Sequence, residues 1–114
     1  NTNEQAPSIR SRFPTPWTQA MFRVTFENSG EVLLAGRLDA AAAEEAAAAF
    51  AKITTSTRMN FKDLEYISSA GLGVLFAAQK RLKAAGHGLT LTNLNGHIRD
   101  VFKYARFDLV FQIE

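Results

Sequence analysis

Two adjacent serines, Ser68 and Ser69, stand between the apolar pair Tyr66-Ile67 and the segment Ala70-Gly71-Leu72-Gly73, which opens a helical apolar repeat. A strand exit that meets a helix start exposes main-chain N–H groups and the positive end of a helix dipole. A serine there has two uses. Its hydroxyl can cap the helix, which contributes about 1 kcal/mol. Alternatively it stays exposed as a phosphoacceptor or anion contact, where phosphorylation adds up to about two negative charges beside helix-terminal donors. Other chemistries fail on spacing. Gly71 and Gly73 do not extend into G-x-G-x-x-G, because the next matching position is Phe76, and G-x-x-x-x-G-K-[ST] does not occur. A nucleophile elbow needs glycine two residues before the serine, and Ser69 has Ile67 there. The two histidines, His87 and His97, lie well downstream of any nucleophile at this junction and are too isolated to build a zinc site. With no cysteine in the chain, thiol catalysis, disulfides and cysteine-metal sites are excluded. A non-enzyme without cofactor or metal is expected.

The junction must be held by the elements on either side of it. Phe22, Val24 and Phe26 alternate with polar residues as in a half-buried strand, Asn28-Ser29-Gly30 supplies turn chemistry, and Val32 to Ala35 starts a second strand. Gly36-Arg37-Leu38-Asp39 then leads into an alanine-rich segment. A helix is expected over about residues 40 to 53, with Asp39 as its N-cap and with Glu44 and Glu45 favoured near its start by the helix dipole. Met59, Phe61, Leu64, Tyr66 and Ile67 predict a third strand. Leu72, Leu75, Phe76 and Leu82 fall near one face of a second helix, with Gln79, Lys80 and Lys83 off that face and Gly86 or Gly88 as its terminator. Leu89, Leu91 and Leu94 predict a fourth strand. Ile98, Val101, Phe102 and Ala105 predict a third helix, and Leu109, Val110, Phe111 and Ile113 a terminal strand. The fold class is α/β in the order β-β-α-β-α-β-α-β, with a mixed but mostly parallel sheet and an antiparallel initial hairpin.

All three prolines, Pro7, Pro14 and Pro16, fall in residues 1 to 19, which read as a flexible lead-in or linker, with the domain at residues 20 to 114. Trp17 is expected to fold back onto the domain. The remainder suits one core in a 114-residue chain that is 46% apolar and 21% charged. A net charge of +2 does not compel a nucleic-acid partner, and Lys80, Arg81, Lys83, Arg99, Lys103 and Arg106 read as solvated helix faces. His97 reads as a surface or capping residue and His87 as a loop residue. No apolar run is long enough to span a bilayer and no signal peptide is legible, so a cytoplasmic protein without membrane insertion is expected.

The stretch from Asn60 to Leu75, containing Tyr66-Ile67-Ser68-Ser69-Ala70-Gly71-Leu72-Gly73, resembles the signature of the STAS domain family, the bacterial anti-sigma factor antagonists and the cytoplasmic domains of sulfate transporters. A second motif, Gly36-Arg37-Leu38-Asp39, sits at the expected distance upstream. The resemblance covers about residues 21 to 113 and the element order. It implies a four- to five-stranded sheet with the helices packed on one face and a switch at the strand-to-helix junction. In the antagonist branch a serine at that junction is phosphorylated by an anti-sigma factor with a histidine-kinase-like ATPase fold. Only the unphosphorylated antagonist binds it and frees the sigma factor, and a PP2C-type serine phosphatase resets the cycle.

Aligned on Gly71-Leu72-Gly73, the resemblance puts the phosphoserine on Ser69 and, less favourably, on Ser68. Asp39, Ser68, Ser69, Ala70, Gly71 and Leu72 correspond to the partner-binding surface. The acidic residue that often precedes the phosphoserine is Ser68 here, which removes a carboxylate beside the acceptor. Two alternatives stay open: a STAS domain or subunit that regulates a transporter or a stress-sensing complex, and a nucleotide or small-ligand sensor using the same helix start. Deletion of residues 1 to 19 is expected to leave the domain folded and to lower its melting temperature by about 4 °C if Trp17 contributes about 1 kcal/mol, which differential scanning calorimetry would read directly.

Overall fold

The computed structural model describes residues 21–114, so the expectations for residues 1 to 19 and for Trp17 lie outside the described residues. Strand β1 (Arg23–Phe26) pairs antiparallel with β2 (Val32–Leu38). Their turn is closed by the Glu27 N–H donating to the Glu31 carbonyl at 2.9 Å and by Gly30, whose φ of 94° suits a residue without Cβ. Helix α1 (Ala43–Phe50), strand β3 (Thr57–Ile67), helix α2 (Ser69–Ala84), strand β4 (Leu89–Thr92) and helix α3 (Gly96–Tyr104) follow. A 3-10 turn (Phe107–Leu109) and the short strand β5 (Gln112–Ile113) close the described chain. The five strands lie in the order β1-β2-β3-β4-β5, and every pair after the first is parallel. This is the expected mixed, mostly parallel α/β architecture.

Period-two alternation explains which face of β2 is covered, while in β3 register shifts against β2 space the buried residues by two and then three. In β2, Val32, Leu34, Gly36 and Leu38 are buried while Leu33 and Ala35 are half-buried and Arg37 is exposed. Met59, Phe61, Leu64 and Ile67 of β3 join Leu89 and Leu91 of β4 in one cluster. The inner faces of all three helices enter the same cluster through Ala46 and Phe50, then Leu72, Leu75 and Leu82, then Ile98 and Phe102. Each fully buried side chain of this size stabilises by about 1.5–3 kcal/mol relative to exposure. Phe102 also meets Phe61, Phe107 and Phe111 edge to face, with ring centroids 6.1, 6.4 and 5.8 Å apart.

Several local expectations need correction. The first helix is shorter than residues 40 to 53, because Asp39 closes a turn ahead of it: the Ala42 N–H lies 3.2 Å from Asp39 Oδ1 and 3.0 Å from the Asp39 carbonyl. Ala42 is therefore the N-cap position, without a side-chain bond, and Asp39 is not. At the other end Arg81 of α2 donates to the Phe50 and Ile53 carbonyls, both at 2.9 Å, so this arginine closes the exit of α1. Gln79 is not on the solvent face. It is buried, donating through Nε2 to the Val110 carbonyl and accepting at Oε1 from the Leu89 N–H, each at 2.8 Å.

The chain end differs as well. Leu109 is 76% exposed in the 3-10 turn, and only Gln112 and Ile113 remain as strand. Ala105 lies past the end of α3 and is exposed, Leu94 is buried in the loop after β4, and Phe26 is 47% exposed at the end of β1. Gly86 terminates α2 as expected: its φ is 85°, its N–H donates to the Lys83 carbonyl at 3.0 Å, and the His87 N–H donates to the Leu82 carbonyl at 2.8 Å.

Gln79→Leu is predicted to destabilise the fold by about 1–3 kcal/mol, since the buried Leu89 amide and the Val110 carbonyl each lose a partner while the volume is kept. The urea midpoint should fall at unchanged m-value.

Candidate functional site

The parallel strands β2 and β3 end side by side, with Arg37 opposite Tyr66 and Leu38 opposite Ile67. The two sequence motifs therefore meet at the carboxyl end of the sheet. Ser68 leaves β3 in an extended conformation (φ −98°, ψ 174°), and its N–H donates to the Leu38 carbonyl at 2.9 Å. Its hydroxyl accepts from the Gly71 N–H at 3.3 Å, and its carbonyl accepts from the Leu72 N–H at 2.9 Å. Ser68 is thus the N-cap of α2 and is half-buried.

Ser69 is the first helical residue and is exposed. Its amide and that of Ala70 belong to the first turn, which has no intrahelical acceptor for them. The two uses open to a serine at this junction are accordingly divided between neighbours. One hydroxyl holds the helix, and the next faces solvent at the positive end of a sixteen-residue helix.

Gly71 explains how close the helix comes. A Cβ at this position would lie 2.7 Å from both Cγ and the carbonyl oxygen of Leu38 and 2.9 Å from Cγ1 of Ile67. The first turn of α2 therefore rests directly on the ends of β2 and β3. Gly71 and Leu72 are buried, Ala70 is half-buried, and Asp39 is half-buried at the start of the turn into α1. Of the six residues expected to form a partner surface, Ser69 is exposed, Asp39, Ser68 and Ala70 are half-buried, and Gly71 and Leu72 are buried.

One part of this end was not legible in the sequence. Arg37 lies with its guanidinium carbon 4.1 Å from the centre of the Tyr66 ring, and Tyr66 stacks on the exposed His97 at 6.5 Å and 17°. Arg37 Nε is also 3.9 Å from Asp39 Oδ2. Asp39, Arg37, Tyr66 and His97 thus form a row across the carboxyl ends of the strands. His97 is a surface residue as expected, but the cap of α3 is Asn95, whose Oδ1 accepts from the Ile98 N–H at 2.9 Å. The signal for this row is the register of β2 against β3, which no single segment encodes. On the other side of Ser69, Ala70, Gly73 and Val74 of α2 line a groove of about 440 Å³ against Ala47, Phe50 and Ala51.

The perturbed ionisable pair lies at the far end of β3. Arg58 and Glu114 form a charge-assisted hydrogen bond of 3.1 Å between Nη1 and Oε2, which raises the arginine and holds the Glu114 carboxyl below the usual range. Among the described residues no three of His, Asp and Glu gather as a metal set, and no helix is long and apolar enough to cross a membrane.

A family profile described as Mlab, STAS domain, matches residues 23–112. The chain belongs to the STAS domain family. Its junction between β3 and α2 and its Gly36-Arg37-Leu38-Asp39 corner are this domain's two motifs in contact. A Bordetella bronchiseptica protein, BtrV, named as a candidate anti-sigma factor antagonist, is 40% identical over 50 residues. That match covers 44% of this STAS domain chain and 43% of the length of BtrV.

The fold is similar to that of SpoIIAA, an anti-sigma factor antagonist solved in two forms. The unphosphorylated form gives a TM-score of 0.59 at 24% identity over 74% of this chain and 83% of that one. The phosphorylated form, described as a Bacillus cell fate determinant, gives 0.61 at 22% identity over 82% of this chain and 91% of that one.

Two glycines of this STAS domain helix separate packing from propensity. Gly71→Ala is predicted to destabilise by about 1–3 kcal/mol, because Leu38 and Ile67 must move to admit the methyl group. Gly73→Ala, where a Cβ would meet nothing within 4 Å, is predicted to be neutral or to stabilise by up to about 1 kcal/mol. Denaturant titration of the two variants side by side checks the contrast.

Proposed function

We propose that this STAS domain is an anti-sigma factor antagonist that works by partner switching, with Ser69 as its phosphoacceptor. The observation that carries the reading is the exposed hydroxyl at the first position of α2, next to a serine whose own hydroxyl is engaged in the cap. The likeness to BtrV and the shared fold with SpoIIAA, which was solved with and without phosphate, support it.

In this reading Asp39, Ser68, Ser69 and Ala70, supported by Gly71 and Leu72, meet an anti-sigma factor with a histidine-kinase-like ATPase fold, and a PP2C-type phosphatase restores the serine. The protein acts in the cytoplasm as a non-catalytic binding switch, without a cofactor and without touching nucleic acid. The rigid seat of α2 fixes the hydroxyl, so phosphorylation converts one neutral point of the interface into a dianion without refolding anything. In a contact that excludes water, desolvation of that dianion and repulsion from nearby carboxylates oppose binding by several kcal/mol.

The test uses a cognate kinase of the histidine-kinase-like ATPase fold, with ATP, and phosphosite mapping by mass spectrometry. Label is expected on Ser69. Ser69→Ala should keep partner binding and block modification, and Ser69→Asp or Ser69→Glu should weaken binding, less than phosphate does because the carboxylate carries about half the charge. Ser68→Ala should keep modification. Label on Ser68 alone, or tight binding by the fully phosphorylated protein, would overturn this mechanism. Absence of label together with stable co-purification with a permease would favour the regulatory-subunit reading instead.

A further inference from the structure

Strand β1 is the end strand of the sheet, and among the described residues nothing pairs with its outer edge. Such an edge is a template for another strand unless charge, proline or a bulge blocks it. Its main-chain phase is fixed by the turn. The Glu27 N–H donates to the Glu31 carbonyl, so Glu27, and with it Thr25 and Arg23, direct their polar groups inward to β2. Val24 and Phe26 therefore direct theirs outward. Side chains divide the same way: Arg23, Thr25 and Glu27 are exposed on one face, while Val24 is half-buried and Phe26 is 47% exposed on the core side.

We propose that β1 pairs antiparallel with β1 of a second copy of this chain, about a two-fold axis at Thr25. This inference is independent of the proposed antagonist function. The register follows from charge. Centred on Thr25, Arg23 of each copy stands opposite Glu27 of the other, and Val24 stands opposite Phe26. The Val24 and Phe26 pairs are then the hydrogen-bonded ones, and their outward N–H and C=O groups complete the ladder. The Arg23 and Glu27 pairs are the non-hydrogen-bonded ones, where opposed side chains approach most closely. Centring on Val24 sets Arg23 against Thr25, and centring on Phe26 sets Glu27 against Thr25, so neither joins opposite charges.

Phe26, unexplained as an exposed aromatic at the rim of the core, is covered by Val24 of the second copy in this arrangement. The two sheets become one continuous sheet. The same residues that deter unrelated strands, an arginine at one end and a glutamate at the other, are complementary only to their own inverted copy.

The experiment is sedimentation of the 114-residue chain at low salt from about 1 µM to about 1 mM. A concentration-dependent dimer is expected. Arg23→Glu and Glu27→Arg should each weaken it by at least about tenfold, because two like-charge pairs replace two opposite ones. An equimolar mixture of those two variants should associate as a heterodimer, and the double variant should recover the homodimer. Val24→Pro, which removes an outward N–H and leaves the β1 to β2 ladder intact, should abolish association while the circular dichroism melt remains cooperative. A chain that stays monomeric at about 1 mM, a dimer indifferent to Arg23→Glu, or variants that fail to associate when mixed would each overturn the proposal.

Discussion

The carbonyl oxygen of Leu38 is where the molecule is tied together. It accepts the Ser68 N–H at 2.9 Å, and the α-carbon of Gly71 sits so close that a methyl group there would come within 2.7 Å of it. The end of β2, the exit of β3 and the first turn of α2 are thereby fixed relative to each other, with the Leu38 and Ile67 side chains packed against the helix start. Everything exposed at this end inherits that rigidity. The Ser69 hydroxyl, the Asp39 carboxylate and the Arg37 guanidinium stand on main chain that is itself locked.

Two serines in sequence would be redundant if their surroundings were alike. They are not alike, because a helix start treats consecutive residues differently: the N-cap turns its side chain back over the first-turn amides, and the next residue turns outward. Ser68 satisfies a donor that would otherwise be left open, and Ser69 satisfies none. A group without a structural duty can be chemically altered at little cost to the fold, while its neighbour cannot. The helix dipole adds to this asymmetry, since a charge arriving at Ser69 is tolerated by the domain that carries it and resisted only by whatever lies opposite.

Order and type of the elements were legible because the apolar periods are strong and the terminators are specific. Gly86 ends α2 with the two expected main-chain bonds. The meeting of the two motifs came from the family resemblance, and the contact through Leu38 and Gly71 gives it a physical basis. What escaped were features that depend on a distant partner. Gln79 looked like a solvent residue because its buried role rests on Leu89 and Val110, which a helical period cannot see. Asp39 kept its capping chemistry but spent it on a turn, since the alanines after it have no reason of their own to start the helix at residue 40. The row from Arg37 through Tyr66 to His97 needs three segments in register, and the final apolar run yields only two strand residues because Phe107 and Phe111 turn in toward Phe102.

The strands stand side by side in the order in which they occur along the chain. Among the described residues no strand has to be inserted between two that are already paired. Each pairing step therefore closes no more than one hairpin or one helical crossover. A chain that folds as it emerges during synthesis would offer each new strand a neighbour already complete, and each helix would close over the strand pair just formed. Assembly in that order would seat Ser69 beside the ends of β2 and β3 once α2 has docked, before β4 and β5 exist, and His97 would join the row only when α3 follows.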